Sequence, residues 1–424
     1  MNITVIGLGK IGLPLAVYLS QRNHVIGLDN NKDVVEQINN GQEPFPGEKN
    51  LKKNLKEVLA SQKLSATLDV SKAIKSADVI LICVPLIIDK YNEPDFSNID
   101  SVVTEIGKHV VNNTLIIFET TLPVGTTRNR FSKSIEKISN LEVGKDIYIV
   151  FSPERVLTGR VFEDLVKYPK LVGGVTRLCT KKGVEFYKSV LEFKDDFFGD
   201  SVWALENCET AEFTKIAETT YRDVNIGLAN EFAIYAKKKD INITQVIQAA
   251  NSQPYSNIHT PGISVGGHCI PVYPHFYLSD NPDSTIVYAA RIRNESMPGY
   301  TIKEIKNKFP SLVGMSIGIL GVSYRAGVKE AAFSGALTLL KLLKNEGAIV
   351  FGYDPFFTPR ELKDLGFECA EDYSNLNGII LHTAHDEFHN LNPDMIKELK
   401  FIFDGRNVLN RFTKAENSFL YFHL

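Results

Sequence analysis

The first twelve residues constrain the fold most. Met1 to Gly7 is an apolar run that breaks at Gly7-Leu8-Gly9, a helical pattern runs from Lys10 to Asn23, and a second apolar run leads from His24 to Asp29. Gly7-Leu-Gly9-Lys10-Ile11-Gly12 therefore fits G-x-G-x-x-G between a strand and a helix. There the glycines permit a tight turn and let backbone amides approach a pyrophosphate at the helix N-terminus. Asp29 stands 17 positions after Gly12, at the end of the second strand. Its carboxylate would accept hydrogen bonds from an adenosine ribose diol and repel a 2′-phosphate, which favours NAD over NADP. A glycine triad alone also fits a bare structural turn; strand, helix and acidic terminator together favour the dinucleotide.

Further apolar runs at Val79–Val84, Leu115–Glu119 and Ile147–Phe151, separated by helical stretches, extend the alternation expected of a parallel doubly wound sheet. A first α/β domain is expected over residues 1–190. From Trp203 to Lys239 only Gly227 punctuates the pattern, acidic residues come first and Lys237-Lys238-Lys239 comes last, which matches the helix macrodipole and predicts one long helix. A shorter helix at Ile243–Asn251, a loop rich in Gly, Pro and His from Gln253 to Pro274, and a helical stretch near Ile286–Asn307 complete a helical middle domain, residues 191–305.

At Met315 the opening theme returns. An apolar strand ends Gly318-Ile-Leu-Gly321, a helix is predicted over Gly335–Asn345, and a strand Ala348–Tyr353 ends in Asp354. The expected fold is thus α/β, two Rossmann-like doubly wound domains joined by a helical middle domain, the last spanning residues 306–424. No full glycine triad follows Gly321, so a second dinucleotide is not expected there, whereas a nucleotide of another kind is.

The composition bounds the partners. Of 424 residues, 44% are hydrophobic and 23% charged, with a formal net charge of −3, so no polybasic surface for nucleic acid or anionic lipid is expected and any anionic ligand must be held locally. No stretch approaches the roughly 18 uncharged apolar residues that span a bilayer, and the chain enters a strand without a basic leader, so the cytoplasm is the expected compartment. Five cysteines, Cys83, Cys179, Cys208, Cys269 and Cys369, lie scattered without CxxC pairs. They read as reduced thiols, with no metal site expected.

One thiol sits differently. Val265-Gly266-Gly267-His268-Cys269-Ile270-Pro271 puts it in a loop whose paired glycines allow close backbone approach. Taken alone, such a cysteine is more often an inert small hydrophobe, and His268 a surface histidine. Lys215, Thr219 and Arg222 fall at i, i+4 and i+7 of the long helix, a polar stripe on one face that could point into a cleft, although composition alone would read Lys215 as solvated.

These segments resemble a known family. Gly7–Gly12 with Asp29, Glu119-Thr-Thr121-Leu-Pro-Val-Gly125-Thr-Thr, Ser152-Pro-Glu154-Arg155-Val-Leu, Lys215 with Tyr221-Arg222-Asp223-Val-Asn225-Ile and Ala229-Asn230-Glu231, Gly266-Gly267-His268-Cys269-Ile-Pro271, and Asp404-Gly405-Arg406-Asn407 resemble the UDP-glucose and GDP-mannose dehydrogenase family, in its UDP-N-acetylhexosamine branch. The resemblance implies an NAD-dependent, four-electron oxidation of C6 of a UDP-sugar to a uronate of the kind used in polysaccharide biosynthesis. Cys269 would add to the intermediate aldehyde and carry it as a thiohemiacetal and then a thioester. Lys215 would stabilise charge on the C6 oxygen, and Glu154 and Thr121 would orient the hydrolytic water.

By the same resemblance Gly7, Gly9, Lys10, Ile11, Gly12, Asp29, Val84, Pro85 and Thr121 would hold the cofactor. Glu154, Arg155, Lys215, Thr219, Arg222, Asn257, Gly266, Gly267, His268 and Tyr324 would line the UDP-sugar, with Arg325 and Arg406 clamping its diphosphate or sugar. The Gly-Gly-His-Cys-Ile-Pro loop favours a UDP-N-acetylhexosamine over UDP-glucose, with UDP-N-acetylmannosamine slightly ahead of UDP-N-acetylglucosamine, and the resemblance implies a homodimer through the long helix. UDP-glucose oxidation and a non-catalytic nucleotide-sugar-binding relative are the alternatives. Five positions depart from the family pattern: Tyr273 replaces an Asp after the cysteine, Thr219 an Asn after the lysine, Leu86 a Thr in Val84-Pro85-Leu86-Ile87, Arg325 a Lys after an aromatic, and Ala332 an Arg in Lys329-Glu330-Ala331-Ala332-Phe333-Ser334-Gly335.

Overall fold

The computed structural model describes residues 1–193, 201–369, 372–409, 411–412 and 418–424. The chain forms two compact units, one of residues 1–217 with 275–280 and one of residues 218–274 with 281–424.

The first unit is built on eight strands: β1 (Asn2–Ile6), β2 (His24–Leu28), β3 (Leu64–Thr67), β4 (Val79–Ile82), then, past a small hairpin of β5 (Ile87–Ile88) and β6 (Pro94–Asp95), β7 (Leu115–Phe118), β8 (Tyr148–Phe151), β9 (Lys170–Gly174) and β10 (Val202–Ala204). They lie in the order β10-β9-β8-β7-β4-β1-β2-β3. β1 is therefore the switch point of the winding, with β2 on one side and β4 on the other, where ligands of such sheets bind. The central strands are buried on both faces, as their unbroken Val/Ile/Leu runs require.

Three expectations for this unit need correction. The sheet is not wholly parallel: β9 runs antiparallel to β8, with Val150 opposite Gly174 and Phe151 opposite Gly173, and β10 joins β9 in parallel. Between β8 and β9 the only α-helix is the four-residue Val161–Asp164, too short to carry the chain back across the sheet for a parallel return. Trp203 belongs to β10 rather than to the long helix, which runs Cys208–Lys238, because pairing with β9 holds Val202–Ala204 extended. The first helix is also shorter than expected: it spans Gly12–Ser20, with Lys10 and Ile11 in the turn before it.

The second unit carries a fully parallel five-stranded sheet, β11 (Ser316–Leu320), β12 (Ile349–Tyr353), β13 (Gly378–Leu381), β14 (Phe401–Asp404) and β15 (Leu420–His423), in the order β12-β11-β13-β14-β15. The helix Gly335–Asn345 forms as expected and buries Leu339, Leu340 and Leu343. Here the long helix packs closely on the helix Thr285–Lys308: a Cβ on Gly227 would come within 3.1 Å of the Ala290 Cα. A buried polar network ties the two helices, with Arg291 donating to Asp223 at 2.6 Å and Asn294 bridging Asp223 and Asn230. The loop expected to run to Pro274 ends sooner, because a helix begins at Tyr273, whose amide donates to the Cys269 carbonyl.

Candidate active site

The glycine turn closes as its spacing requires. Gly7 takes φ +91°, and a Cβ on Gly12 would stand 1.9 Å from the Gly7 carbonyl oxygen, so only glycine lets helix and strand approach this far. The Asp29 carboxylate accepts from the Leu8 amide at 2.8 Å and the Asn31 amide at 2.9 Å, locking the turn to the end of β2. Val84 packs on Gly7, and Pro85 lies exposed beside it. Gly7, Gly9, Lys10, Ile11, Gly12, Asp29, Val84 and Pro85 are thus gathered at the carboxyl ends of β1, β2 and β4. The fit to a dinucleotide rests on two features: no side chain caps the helix N-terminus, and nothing lies within 4 Å of a Cβ built on Gly9.

Beyond β7 and β8 the first unit buries charge. Thr121 is buried, and Glu154 is half-buried with its carboxylate taking the Arg155 amide at 2.8 Å and the Lys170 ammonium at 2.7 Å. Lys170 opens β9 and also lies 3.3 Å from Glu119, to which the Tyr187 hydroxyl donates. Burial drives the Glu119 carboxyl up to about 7 even against the pull of Lys170. On the long helix, Glu212 is buried and receives the Gly125 amide at 2.5 Å and the Thr127 amide at 2.8 Å; burial raises it, too, to about 7. One turn on, Lys215 is buried. Lys170, Tyr187 and Glu212 were not singled out in sequence, since their burial is created by the folded sheet and helix rather than by any local pattern.

In the second unit the cysteine loop docks on the segment after β11. Gly266 and Gly267 lie against Tyr324, where a Cβ on Gly267 would meet the ring at 2.8 Å, and the Gly267 amide donates to the Ala332 carbonyl at 3.1 Å. His268 is exposed, 3.6 Å from Glu330 and edge-on to Phe333. Upstream, Asn225 of the long helix holds the Asn257 carbonyl and the His259 amide, and Asn230 takes the Gly262 amide. Arg406 packs against Gly262 and donates to the His382 carbonyl at 2.7 Å. Gly266 and Gly267 thus meet Tyr324, with His268 and Cys269 following them, Arg406 meets Gly262 of the same loop, Asn257 is held to the long helix, and Arg325 is half-buried next to Tyr324. Cys269 is exposed, whereas Cys179 and Cys208 are buried.

The helical stripe is less uniform than its spacing suggests: Thr219 is buried like Lys215, but Arg222 is exposed. Lys215, Glu154, Arg155 and Thr121 belong to the first unit, and Cys269 with its loop to the second. Among the described residues no group of three or more His, Cys, Asp or Glu could hold a metal ion, and no helix is long and apolar enough to cross a membrane.

The open glycine turn at the carboxyl end of β1, tied to Asp29 at the end of β2, is the arrangement of a dinucleotide-binding domain. Residues 1–191 match the NAD binding domain, 209–294 the central domain and 318–411 the UDP binding domain of the UDP-glucose/GDP-mannose dehydrogenase family, and the chain belongs to that family. It is an NAD-dependent UDP-sugar dehydrogenase. It is 35% identical over 422 residues to a UDP-N-acetyl-D-mannosamine dehydrogenase of Pyrococcus horikoshii, covering 96% of each chain. A protein of the same name from Methanocaldococcus jannaschii is 34% identical, covering 97% of this chain and 93% of its own. The solved structure of UDP-D-ManNAc dehydrogenase from Pyrococcus horikoshii superposes with a TM-score of 0.89 at 32% identity, covering 100% of this chain and 99% of the other.

Proposed function

We propose that this enzyme oxidises C6 of UDP-N-acetylmannosamine to the uronic acid, with Cys269 as the covalent catalyst. The carrying observation is the exposed thiol of Cys269, held on a glycine loop docked to the unit that contains the UDP binding domain. The names of the relatives support the acetamido sugar. In this reading the chain has three parts, an NAD-binding domain (1–190), a central domain (191–305) and a UDP-sugar domain (306–424).

When bound, NAD accepts a hydride at each of two oxidations. Lys215, buried on the long helix, donates to the C6 oxygen as it gains charge. The Cys269 thiolate forms a C–S bond to the aldehyde carbon, and after the second oxidation that bond is a thioester. Water, oriented by Glu154 and Thr121, attacks the carbonyl carbon; the C–S bond breaks and the thiolate is regenerated. Gly7–Gly12 with Asp29, Val84, Pro85 and Thr121 would hold the cofactor, and Arg155, Thr219, Arg222, Asn257, Gly266, Gly267, His268, Tyr324, Arg325 and Arg406 would line the UDP-sugar. Tyr221, Leu228, Phe232 and Tyr235 form an exposed apolar stripe on the long helix at i, i+7, i+11 and i+14, which supports a homodimer through that face of a cytoplasmic enzyme.

Purified protein with NAD and a panel of UDP-sugars tests the reading. UDP-N-acetylmannosamine should give two NADH per sugar, and Cys269→Ser should stop short of the uronate. Silence with every acetamido sugar, or full uronate yield from the serine variant, would sink it. Turnover of UDP-glucose alone would favour the within-class alternative.

A further inference from the structure

At the carboxyl ends of β7 and β8, four polar side chains from four elements meet out of water. Glu119 follows β7, Glu154 follows β8, Lys170 opens β9 and Tyr187 comes from the helix Arg177–Val190. Glu119 is only 4% exposed and Lys170 only 5%. The ammonium lies 2.7 Å from Glu154 Oε2 and 3.3 Å from Glu119 Oε1, the same oxygen that the Tyr187 hydroxyl reaches.

The charges do not balance. Two carboxylates face one ammonium, which leaves a buried negative charge in excess, and such a site relieves it by holding one proton. The seat of that proton is legible in the hydrogen bonds. Glu119 Oε2 is buried without a hydrogen-bond partner among the described residues, whereas both oxygens of Glu154 accept hydrogen bonds. An ionised oxygen left unpaired out of water is costly; a neutral carboxyl is far less so. The other titratable groups facing Glu119 do not compete for the role. Burial and the nearby carboxylates push both the Tyr187 phenol and the Cys83 thiol, just after β4, well above their ordinary ranges, so both stay neutral. Burial alone would lower Lys170, but Glu119 and Glu154 hold its ammonium above the usual lysine range, so it stays charged.

We propose that Glu119 is a positioning residue for thioester hydrolysis, a proton-bearing carboxyl that decides whether Lys170 pairs with Glu154 alone or is shared between two carboxylates. This rests on the role of Glu154 proposed above. While Glu119 keeps its proton, the ammonium is committed to Glu154 and restrains it. When Glu119 releases the proton to solvent, the ammonium is divided, and Glu154 is released to accept a proton from the attacking water. Water then forms the new C–O bond as the C–S bond to Cys269 breaks, and the thiolate leaves with the electron pair. Hydrolysis therefore quickens as the pH rises through neutrality, where burial places the Glu119 carboxyl at about 7.

Glu119→Gln tests this, because the amide keeps the shape but has no proton to lose in this range. The measurement is single-turnover decay of the Cys269 acyl-enzyme, formed from UDP-N-acetylmannosamine and excess NAD and followed by intact-protein mass spectrometry across neutral pH. The parent enzyme should show decay that rises about tenfold through neutrality, and the variant a flat profile with acyl-enzyme accumulating relative to first-step NADH. Tyr187→Phe removes one donor to the ionised form of Glu119 and should move the rise to higher pH. A folded Glu119→Gln protein that keeps the parent's pH rise overturns the proposal, and if that variant does not fold, an unmoved rise in Tyr187→Phe does the same. No acyl-enzyme in the parent protein is a different failure, that of the Cys269 reading and of everything resting on it.

Discussion

The two Rossmann-like halves begin alike and diverge within a few residues. In each, a buried strand ends in a glycine of positive φ, Gly7 at +91° and Gly321 at +83°. Each glycine amide donates to the last residue of the neighbouring strand, Gly7 to Leu28 at 2.9 Å and Gly321 to Tyr353 at 2.8 Å. An aspartate then ties that strand to the turn, Asp29 through the Leu8 amide and Asp354 through the amides of Val322 and Ser323. In the first half the helix starts at once at Gly12, with no side-chain cap and open space beside Gly9. In the second, residues 322–334 intervene, the Ser334 side chain caps the helix, and a Cβ on Gly335 would fall 2.0 Å from the Ser264 hydroxyl of the cysteine loop. The shared turn makes the fold; what stands at the helix N-terminus decides whether a ligand or the protein's own loop is held there.

The largest effects should come from adding a methyl at each helix start. Gly12→Ala drives a Cβ into backbone, at 1.9 Å from the Gly7 oxygen, so the turn itself must move. A displacement of that size warrants a loss of at least about 100-fold in kcat/KM for NAD. Gly335→Ala meets instead a side chain on a loop, so it should impair the UDP-sugar KM and the reactivity of Cys269 towards a thiol reagent, with the NAD KM changed less than about threefold. Steady-state kinetics with each substrate varied in turn separates the two. Equal damage to NAD binding by both variants would erase the distinction between the halves.

How much of this could be read in advance follows from the range of the forces. The strand–turn–helix at Gly7–Gly12, the Asp29 terminator and the helix Gly335–Asn345 are local patterns and appear where the spacing puts them. The reversal of β9 was hidden, since direction depends on what lies between β8 and β9 rather than on Lys170–Gly174 itself. Trp203 misled because a three-residue strand takes its conformation from a partner some thirty positions away. The helix at Tyr273 starts amid residues that read as loop. In the site, the glycine turn and Cys269 stand out by type. The Glu119–Lys170–Tyr187 cluster does not, because its meaning lies in burial that only the sheet creates. Likewise, nothing in Ala332 or Phe333 announces that the cysteine loop docks there.

The paired aspartates sharpen the comparison at the next scale of effect. Asp354 is buried and takes the amides of Val322, Ser323 and Phe356 and a bond from His385. Burial alone would raise its carboxyl, but His385 and the amides hold it below the ordinary range. A depressed carboxyl stabilises the fold above its unfolded pKa of about 3.9, and that stability is lost as pH falls through the folded value. Asp354→Asn should therefore cost about 3 kcal/mol in urea unfolding at neutral pH, a deficit that shrinks in acid. Asp29→Asn should change stability by less than about 1 kcal/mol and instead raise the NAD KM. A neutral-pH stability loss from Asp29→Asn as large as that of Asp354→Asn would mean that both aspartates are structural.

The smallest effect probes the contact of Ser264 with the second helix start. His382 is buried, and burial together with Arg406 lowers its pKa to about 3, so the ring is neutral at ordinary pH. Its Nδ1 faces the Gly321 carbonyl at 2.9 Å, and a carbonyl only accepts, so Nδ1 carries the proton. Nε2 is then a bare acceptor, and the Ser264 hydroxyl at 3.0 Å must donate to it. Ser264→Ala leaves that acceptor buried and unpaired, a loss of about 1–2 kcal/mol with NAD kinetics untouched. Combined with Gly335→Ala, the same substitution should rescue little, because the Ser264 Cβ also lies 2.2 Å from the added methyl. Ser264→Gly removes both atoms and should restore much of the UDP-sugar KM lost in Gly335→Ala. If Ser264→Ala rescues as well as Ser264→Gly, only the hydroxyl obstructs the helix start, and the second half sits a single oxygen away from the open arrangement of the first.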